Sequence, residues 1–158
     1  LDNSGTVVSE RSFTLAGATE TGTPSAEYAI SPKQDSGLYV KGGMLYGVKD
    51  GSTLDAIRAS LANTDGVSIS GVGTGATITL TVDGRVLDTV TLNILGDLDG
   101  DGSVDASDYM EVKNAIVDDE APSGFSAYAA DANGDGAITS LDLLLVSSYV
   151  SGVVEKLN

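Results

Sequence analysis

Hydrophobic and polar residues alternate through the middle of the chain. Ala76–Val82 and Arg85–Ile94 both follow this period of two, which is typical of half-buried strands. Asp83-Gly84 between them favours a two-residue hairpin turn. Further strands are predicted at the shorter apolar runs Tyr28–Ile30, Leu38–Val40, Met44–Val48 and Val67–Ser70. The middle of the chain is therefore predicted to be β-rich.

Apolar residues recur at helical spacing in three other places. Ser52–Leu61 is predicted as a short helix with Ser52 as its N-cap, since Leu54, Ile57 and Leu61 share one face. Two longer helices are predicted at Ser107–Val117 and Ser140–Val150. Overlaying these two helices predicts a shared core from the pairs Tyr109 and Leu143, Val112 and Val146, and Ile116 and Val150.

An acidic, glycine-rich loop precedes each of the two longer helices. We call residues 97–108 loop 1 and residues 131–142 loop 2; the second begins 34 residues after the first. Both have D-x-[DN]-x-D-G at positions 1 to 6, the opening of a calcium loop of the EF-hand type. A single loop of this kind leaves some room for an ordinary solvated turn, but two in the same register, each followed by a helix pattern, make that explanation weak.

The spacing suits calcium because this hard cation takes several oxygen ligands, and alternate residues of a tight loop point inward. Gly102 and Gly136 stand at position 6, where the chain turns sharply. We predict two Ca²⁺ ions, held by positions 1, 3, 5, 7, 9 and 12: Asp97, Asp99, Asp101, Ser103, Asp105 and Asp108 in loop 1, and Asp131, Asn133, Asp135, Ala137, Thr139 and Asp142 in loop 2. Loop 1 has more carboxylates, so loop 2 is expected to release its ion first.

Two features depart from an ordinary EF-hand. Position 12 is Asp rather than Glu, and the segment before loop 1, Thr89–Leu95, has a strand pattern instead of an entering helix. Loop-plus-exiting-helix repeats of this kind resemble dockerins, the calcium-binding modules that attach enzymes and scaffold proteins to cohesins. The resemblance covers residues 96 to about 154 and rests on the two D-x-[DN]-x-D-G loops.

The dockerin resemblance implies a partner surface on loop positions 10 and 11 and on outward positions of each exiting helix. Carried over by position, it comprises Ala106, Ser107, Met110, Glu111, Lys113, Asn114 and Asp118 in the first copy, and Ser140, Leu141, Leu144, Leu145, Ser147, Ser148 and Gly152 in the second. The second copy presents an apolar ridge of Leu141, Leu144, Leu145 and Ser148, which either binds cohesin or packs inside the protein. If it binds cohesin, the differing copies predict a single binding mode.

The β-rich part resembles the X-modules that often precede dockerins, on the strength of Leu45–Val48 before a capped helix and Val82-Asp83-Gly84 leading into the loops. The expected fold is therefore two modules: an N-terminal β-rich, sandwich-like X-module with one short helix, and a C-terminal all-α dockerin with two EF-hand-like loop–helix repeats. The expected domains are an N-terminal segment or linker at 1–25, the X-module-like β domain at 26–95 and the dockerin at 96–158. Only Gly96 separates the last strand from the first ligand, so the two modules are expected to pack as one unit.

Charge and composition narrow the function. The formal net charge is −15, of which −11 falls in residues 96–158, and this acidity disfavours nucleic acids and anionic membranes as partners. The sequence has no Cys and no His, which removes thiolate chemistry and the usual general base. It contains no signal peptide or transmembrane run, and its start at Leu1 suggests a fragment of a larger protein.

The leading hypothesis is a non-catalytic, calcium-dependent anchoring module, a monomer that binds the cohesin of a scaffoldin or cell-surface protein. Its parent would be a secreted bacterial protein, extracellular or on the cell surface, in a cellulosome-like or amylosome-like complex that degrades polysaccharide. The alternative is a calcium-stabilised carbohydrate-binding or structural module, for which Tyr28, Tyr39 and Tyr46 are the available aromatics. A calcium sensor is disfavoured, because it would need entering helices and a Met-rich groove. A glycosidase is disfavoured as well, because it would need two catalytic carboxylates outside the loops.

Overall fold

The computed structural model describes residues 28–157; the predicted segment 1–25 and Asn158 lie outside this range. The elements are β1 (Tyr39–Lys41), β2 (Met44–Tyr46), α1 (Leu54–Ala59), β3 (Val67–Ser70), β4 (Thr77–Val82), β5 (Arg85–Leu92), α2 (Ala106–Val117), α3 (Phe125–Ala130) and α4 (Ser140–Val150). Among residues 28–157, none of the helices combines the length and the apolar character that crossing a membrane requires.

The five strands form one mixed sheet in the order β1-β2-β5-β4-β3. Strand β2 pairs parallel to β5, whereas the other neighbouring pairs are antiparallel. The predicted fold class is therefore wrong, because a sandwich needs two sheets and all five strands here are hydrogen-bonded into one. The pairing of β2 with β5 is responsible, since it joins the β1–β2 hairpin to the same sheet as β3, β4 and β5.

The β4–β5 hairpin carries most of the buried face of the sheet. Its turn has positive φ at Asp83 (49°) and Gly84 (75°), the combination that matches the twist of a two-residue hairpin. Ile78, Leu80, Val90 and Leu92 point to one face and are buried, whereas the threonines between them remain partly or fully exposed. The alternation seen in the sequence therefore corresponds to one buried and one solvated face.

The buried face of the sheet shares one hydrophobic core with residues of the helices. Helix α1 is capped by Thr53, whose side chain accepts a hydrogen bond from Ala56 N, so the predicted N-cap Ser52 is one residue too early. Ile57 of α1, Val112 of α2 and Val146 of α4 belong to one cluster of buried residues that also includes the sheet. The core therefore runs without interruption from the strands into the C-terminal helices.

Helices α2 and α4 pack against each other in the C-terminal part. Val112 and Val146 are fully buried at equivalent positions of the two repeats, as the overlay of the helices predicts. Val150, also predicted for this core, is instead 39% exposed, and the preceding Tyr149 packs partly against the core. The last turn of α4 therefore presents a different face from the one that strict periodicity indicates.

Candidate metal centre and partner surface

Loop 1 is curled by hydrogen bonds from its backbone to its own carboxylates. Asp97 Oδ1 accepts from Gly100 N at 3.0 Å, Asp99 Oδ1 from Asp101 N at 3.1 Å, and Asp101 Oδ1 from Ser103 N at 2.8 Å. The bonds of Asp99 and Asp101 each close an Asx turn, which short acidic side chains favour, and the bond of Asp97 spans one residue more. The D-x-D-x-D spacing therefore lets each of these carboxylates bond the backbone of its own loop.

Asp108, at position 12, connects both ends of loop 1. Its Oδ1 accepts from Leu98 N at 2.8 Å and Asp99 N at 3.3 Å, while its Oδ2 accepts from Asp105 N at 2.9 Å. The Asp105 side chain accepts from Ser107 N at 2.7 Å. Asp105 and Asp108 also bond each other's backbone and so form a capping box at the start of α2. Helix α2 therefore begins where the loop closes.

Three carboxylates of loop 1 converge. One oxygen from each of Asp97, Asp99 and Asp108 lies within 4.8 Å of the other two, and within residues 28–157 this is the only such group of acidic side chains. Ligands on opposite sides of a Ca²⁺ ion are separated by about 5 Å, because each bond is about 2.3–2.6 Å long. Hard oxygen donors at this spacing fit a calcium ion.

Burial of these carboxylates disfavours their charged form. Asp97 and Asp108 are almost fully buried, and burial raises the pKa of both carboxyls even though backbone N–H donors oppose the shift. Burial also raises the pKa of Glu111, with a further contribution from the negative charges of Asp99 and Asp108. A bound cation would remove this electrostatic cost.

Loop 2 has the same design with fewer charges. Asp131 accepts from Asp135 N at 3.0 Å and Gly136 N at 2.9 Å, and Asp135 Oδ1 accepts from Ala137 N at 2.9 Å. Asp142 closes the loop by accepting from Asn133 N at 3.2 Å and Thr139 N at 2.8 Å.

Position 9 of loop 2 also starts the following helix. Thr139 Oγ1 accepts from Leu141 N at 3.2 Å. Thr139 and Asp142 also bond each other's backbone and so form a capping box at the start of α4. Since Asn133 and Thr139 replace the aspartates found at positions 3 and 9 of loop 1, loop 2 has a smaller set of acidic ligands.

The residues predicted for the partner surface differ in exposure. All seven positions in the first copy are exposed, among them Met110 at 45%. In the second copy Leu141 and Leu144 are 59% and 61% exposed, but Leu145 packs partly against the core and Ser147 and Ser148 are half-buried. Of the four residues predicted for the apolar ridge, Leu141 and Leu144 are therefore the accessible ones.

Sequence reasoning missed the upstream residues that contact the C-terminal part. Thr74 N, in the loop between β3 and β4, donates to Asp97 Oδ2 at 2.7 Å, and Gly51 N donates to Gly102 O at 2.7 Å. The Tyr149 hydroxyl donates to Asp50 Oδ1. These contacts cannot be predicted from the acidic motif, because the motif concerns only residues within each loop.

The tyrosines considered for carbohydrate binding are partly engaged with each other. Tyr39 and Tyr46 are cross-strand partners whose rings stack with centroids 5.3 Å apart and planes 13° apart. Each ring therefore offers at most one face to a ligand.

Each acidic loop is closed by a carboxylate of the helix that follows it. Two such repeats define a module with a pair of EF-hand-like loops. Residues 95–151 match the family model of the dockerin type I domain. This part of the chain is a dockerin type I domain. The match does not extend to residues 26–94, so the X-module resemblance and the domain boundaries remain predictions.

Two solved structures are similar to part of the chain. One is the ScaB dockerin of Acetivibrio cellulolyticus in complex with the third cohesin of ScaC, at 33% identity over 41% of this chain and 92% of that chain, with a TM-score of 0.39. The other is from the type I cohesin–dockerin complex of Clostridium thermocellum that includes the OlpC cohesin, at 29% identity over 40% of this chain and 94% of that chain, with a TM-score of 0.38. No curated protein sequence matches the chain.

Proposed function

We propose that this chain is a non-catalytic anchoring module that binds a cohesin domain in a calcium-dependent manner. The observation that carries the proposal is the dockerin type I domain at residues 95–151. Both acidic loops lie within this range, and each begins the helix that follows it.

Calcium is proposed to bind in both loops, one ion in each. Asp97, Asp99 and Asp108 would provide the central ligands of loop 1, and Asp131, Asp135 and Asp142 the acidic ligands of loop 2. The ion supplies positive charge that offsets the repulsion and burial of these carboxylates. Because an unfolded loop has no preformed site, the free energy of binding would stabilise the folded state.

The partner surface is proposed to lie on the exposed positions of α2 and α4. Leu141 and Leu144 stand out on α4, because their large apolar side chains are accessible in a strongly acidic protein. The fully buried core of a protein interface is more apolar than the rest of the protein surface.

The wider context is proposed from the family. The cohesin would belong to a scaffoldin or a cell-surface protein, and the complex would degrade polysaccharide outside the cell, as a cellulosome-like or amylosome-like assembly. The parent protein would then be secreted or surface-bound.

Binding of this chain to a panel of cohesins, measured by calorimetry with millimolar calcium and again with excess EDTA, tests the proposal. We expect tight binding to one class of cohesin, abolished by EDTA and restored when calcium is added back. Circular dichroism under the same conditions shows whether the chain is folded. A folded, calcium-loaded chain that binds none of the cohesins would contradict the anchoring function while leaving the metal sites in place.

A further inference from the structure

The loop between β3 and β4, residues 71–76, packs directly on loop 1. Thr74 N donates to Asp97 Oδ2 at 2.7 Å, at the position where the first metal ligand is expected. Thr74 Oγ1 in turn accepts from Ile94 N at 3.0 Å and donates to Ile94 O at 3.2 Å. The backbone that leads into loop 1 and its first carboxylate are therefore held by the same residue of the upstream sheet.

The fit at this contact leaves no room for a side chain. A Cβ atom added to the buried Gly73 would lie within 3.0 Å of Asp97 Oδ2, Gly100 O and Gly102 N. In the other direction, a Cβ atom on Gly100 would lie 2.7 Å from Thr74 O. Close approach of the two backbones therefore requires glycine on both sides.

Loop 2 has no comparable contact at its equivalent glycines. A Cβ atom on Gly134 or Gly136, the counterparts of Gly100 and Gly102, would meet nothing within 4 Å. Asp131, the counterpart of Asp97, accepts its hydrogen bonds from Asp135 N and Gly136 N within its own loop. The two loops share a sequence motif but differ in what surrounds them.

We propose that the β3–β4 loop forms part of the first calcium site, with Gly73 and Thr74 as positioning residues that hold Asp97. The inference rests on the calcium binding proposed above. Loop 1 then takes part of its calcium affinity from the upstream sheet, whereas loop 2 depends on its own residues. Groups that orient a metal ligand typically change metal affinity by about 10–100-fold when they are altered.

The test follows each loop separately through the backbone amide resonances of Gly102 and Gly136 in calcium-buffered solutions. In the wild-type chain we expect Gly136 to lose the calcium-bound signal at a higher free calcium concentration than Gly102. The variant Gly73→Ala should displace the β3–β4 loop and so weaken calcium binding at loop 1 by about 10-fold or more. The midpoint of loop 2, meaning the free calcium concentration at which half of its sites are filled, should not change.

Thr74→Val is a second test of the inference, and Val72→Ala and Thr74→Ser are its controls. Val72→Ala alters the same loop at a side chain that is 57% exposed, so both midpoints should stay at wild-type values. Thr74→Val removes the hydroxyl that bonds Ile94 and should weaken loop 1, whereas Thr74→Ser keeps the hydroxyl and should preserve its affinity. If Gly73→Ala unfolds the chain, the comparison of Thr74→Val with Thr74→Ser tests the inference instead.

Equal weakening of both loops, or no change at loop 1 in both Gly73→Ala and Thr74→Val, would overturn the inference. Either result would leave the proposed calcium binding intact. A wild-type chain in which neither loop responds to calcium would instead contradict the proposed function, and the inference would fall with it.

Discussion

At the scale of single residues, several glycines mark places where segments distant in the sequence meet. Gly96 joins the sheet to loop 1 with φ at 87°, and its N–H donates to Ala129 O at 2.8 Å. A Cβ atom there would lie 2.6 Å from Leu157 Cδ1 and 2.8 Å from Val104 Cγ1. Both the backbone conformation and the surrounding atoms therefore require glycine.

The variant Gly96→Ala is expected to destabilise the calcium-loaded protein by about 2–4 kcal/mol, since positive φ costs about 1 kcal/mol and overpacking about 1–3 kcal/mol. The matched control is Gly42→Ala, where φ is 59° but no atom lies within 4 Å of the added Cβ. That variant should lose about 1 kcal/mol only. Urea denaturation in saturating calcium measures both, and equal losses would show that packing at Gly96 contributes nothing.

At the scale of elements, the two loop–helix repeats begin and pack in the same way but present different outer faces. Each helix begins at a capping box that includes the position 12 aspartate, and each buries a valine at the equivalent place. Their outer faces differ: at another equivalent pair of positions, α2 carries Met110 and α4 carries Leu144. This difference is the basis for expecting a single binding mode.

The matched variants Leu144→Asp and Met110→Asp test which helix binds cohesin. Leu144→Asp should weaken binding by about 2 kcal/mol or more, because it places a charge at the centre of an apolar contact. Met110→Asp should change affinity by less than about 0.5 kcal/mol if α4 alone forms that centre. Calorimetry with the cohesin selected by the panel measures both, and loss of binding only in the doubly substituted chain would indicate two interchangeable modes.

At the scale of the whole molecule, the sheet and the helices share one core and several polar contacts. The bond between Tyr149 on α4 and Asp50 after β2 is one of these contacts. Burial, followed by the hydrogen bond to Asp50 and the negative charge of that residue, raises the pKa of Tyr149 to about 12. The neutral phenol is therefore favoured in the folded protein.

This contact predicts a loss of stability at high pH. Tyrosine in an unfolded chain titrates near pH 10, so the stabilisation is fully present below about pH 10 and is lost as the pH rises through about 12. Ultraviolet titration of the folded protein should show a phenolate step near pH 12 that Tyr149→Phe lacks. In Asp50→Asn the step should move to lower pH, and an unchanged step in both variants would refute the assignment.

Strands β4 and β5, the hairpin turn between them and the acidic loops follow from local sequence. Alternation marks β4 and β5 because one side of each strand is buried, and the turn at Asp83-Gly84 needs positive φ at both residues. The helix α4 runs from Ser140 to Val150 as its pattern predicts. The proposed ligand positions rest on local sequence as well, because the D-x-[DN]-x-D-G motif fixes their spacing within each loop.

The arrangement of the sheet and the surroundings of loop 1 depend on contacts between distant segments. No local pattern distinguishes one mixed sheet from a sandwich, since the same alternating strands suit both, and the parallel pairing of β2 with β5 decides between them. Nor does a local pattern place Gly73 and Thr74 against Asp97, more than 20 residues away in the sequence. Two loops with nearly the same motif thus acquire different environments, because the β3–β4 loop packs on the glycines of loop 1 while the equivalent glycines of loop 2 have open space around them.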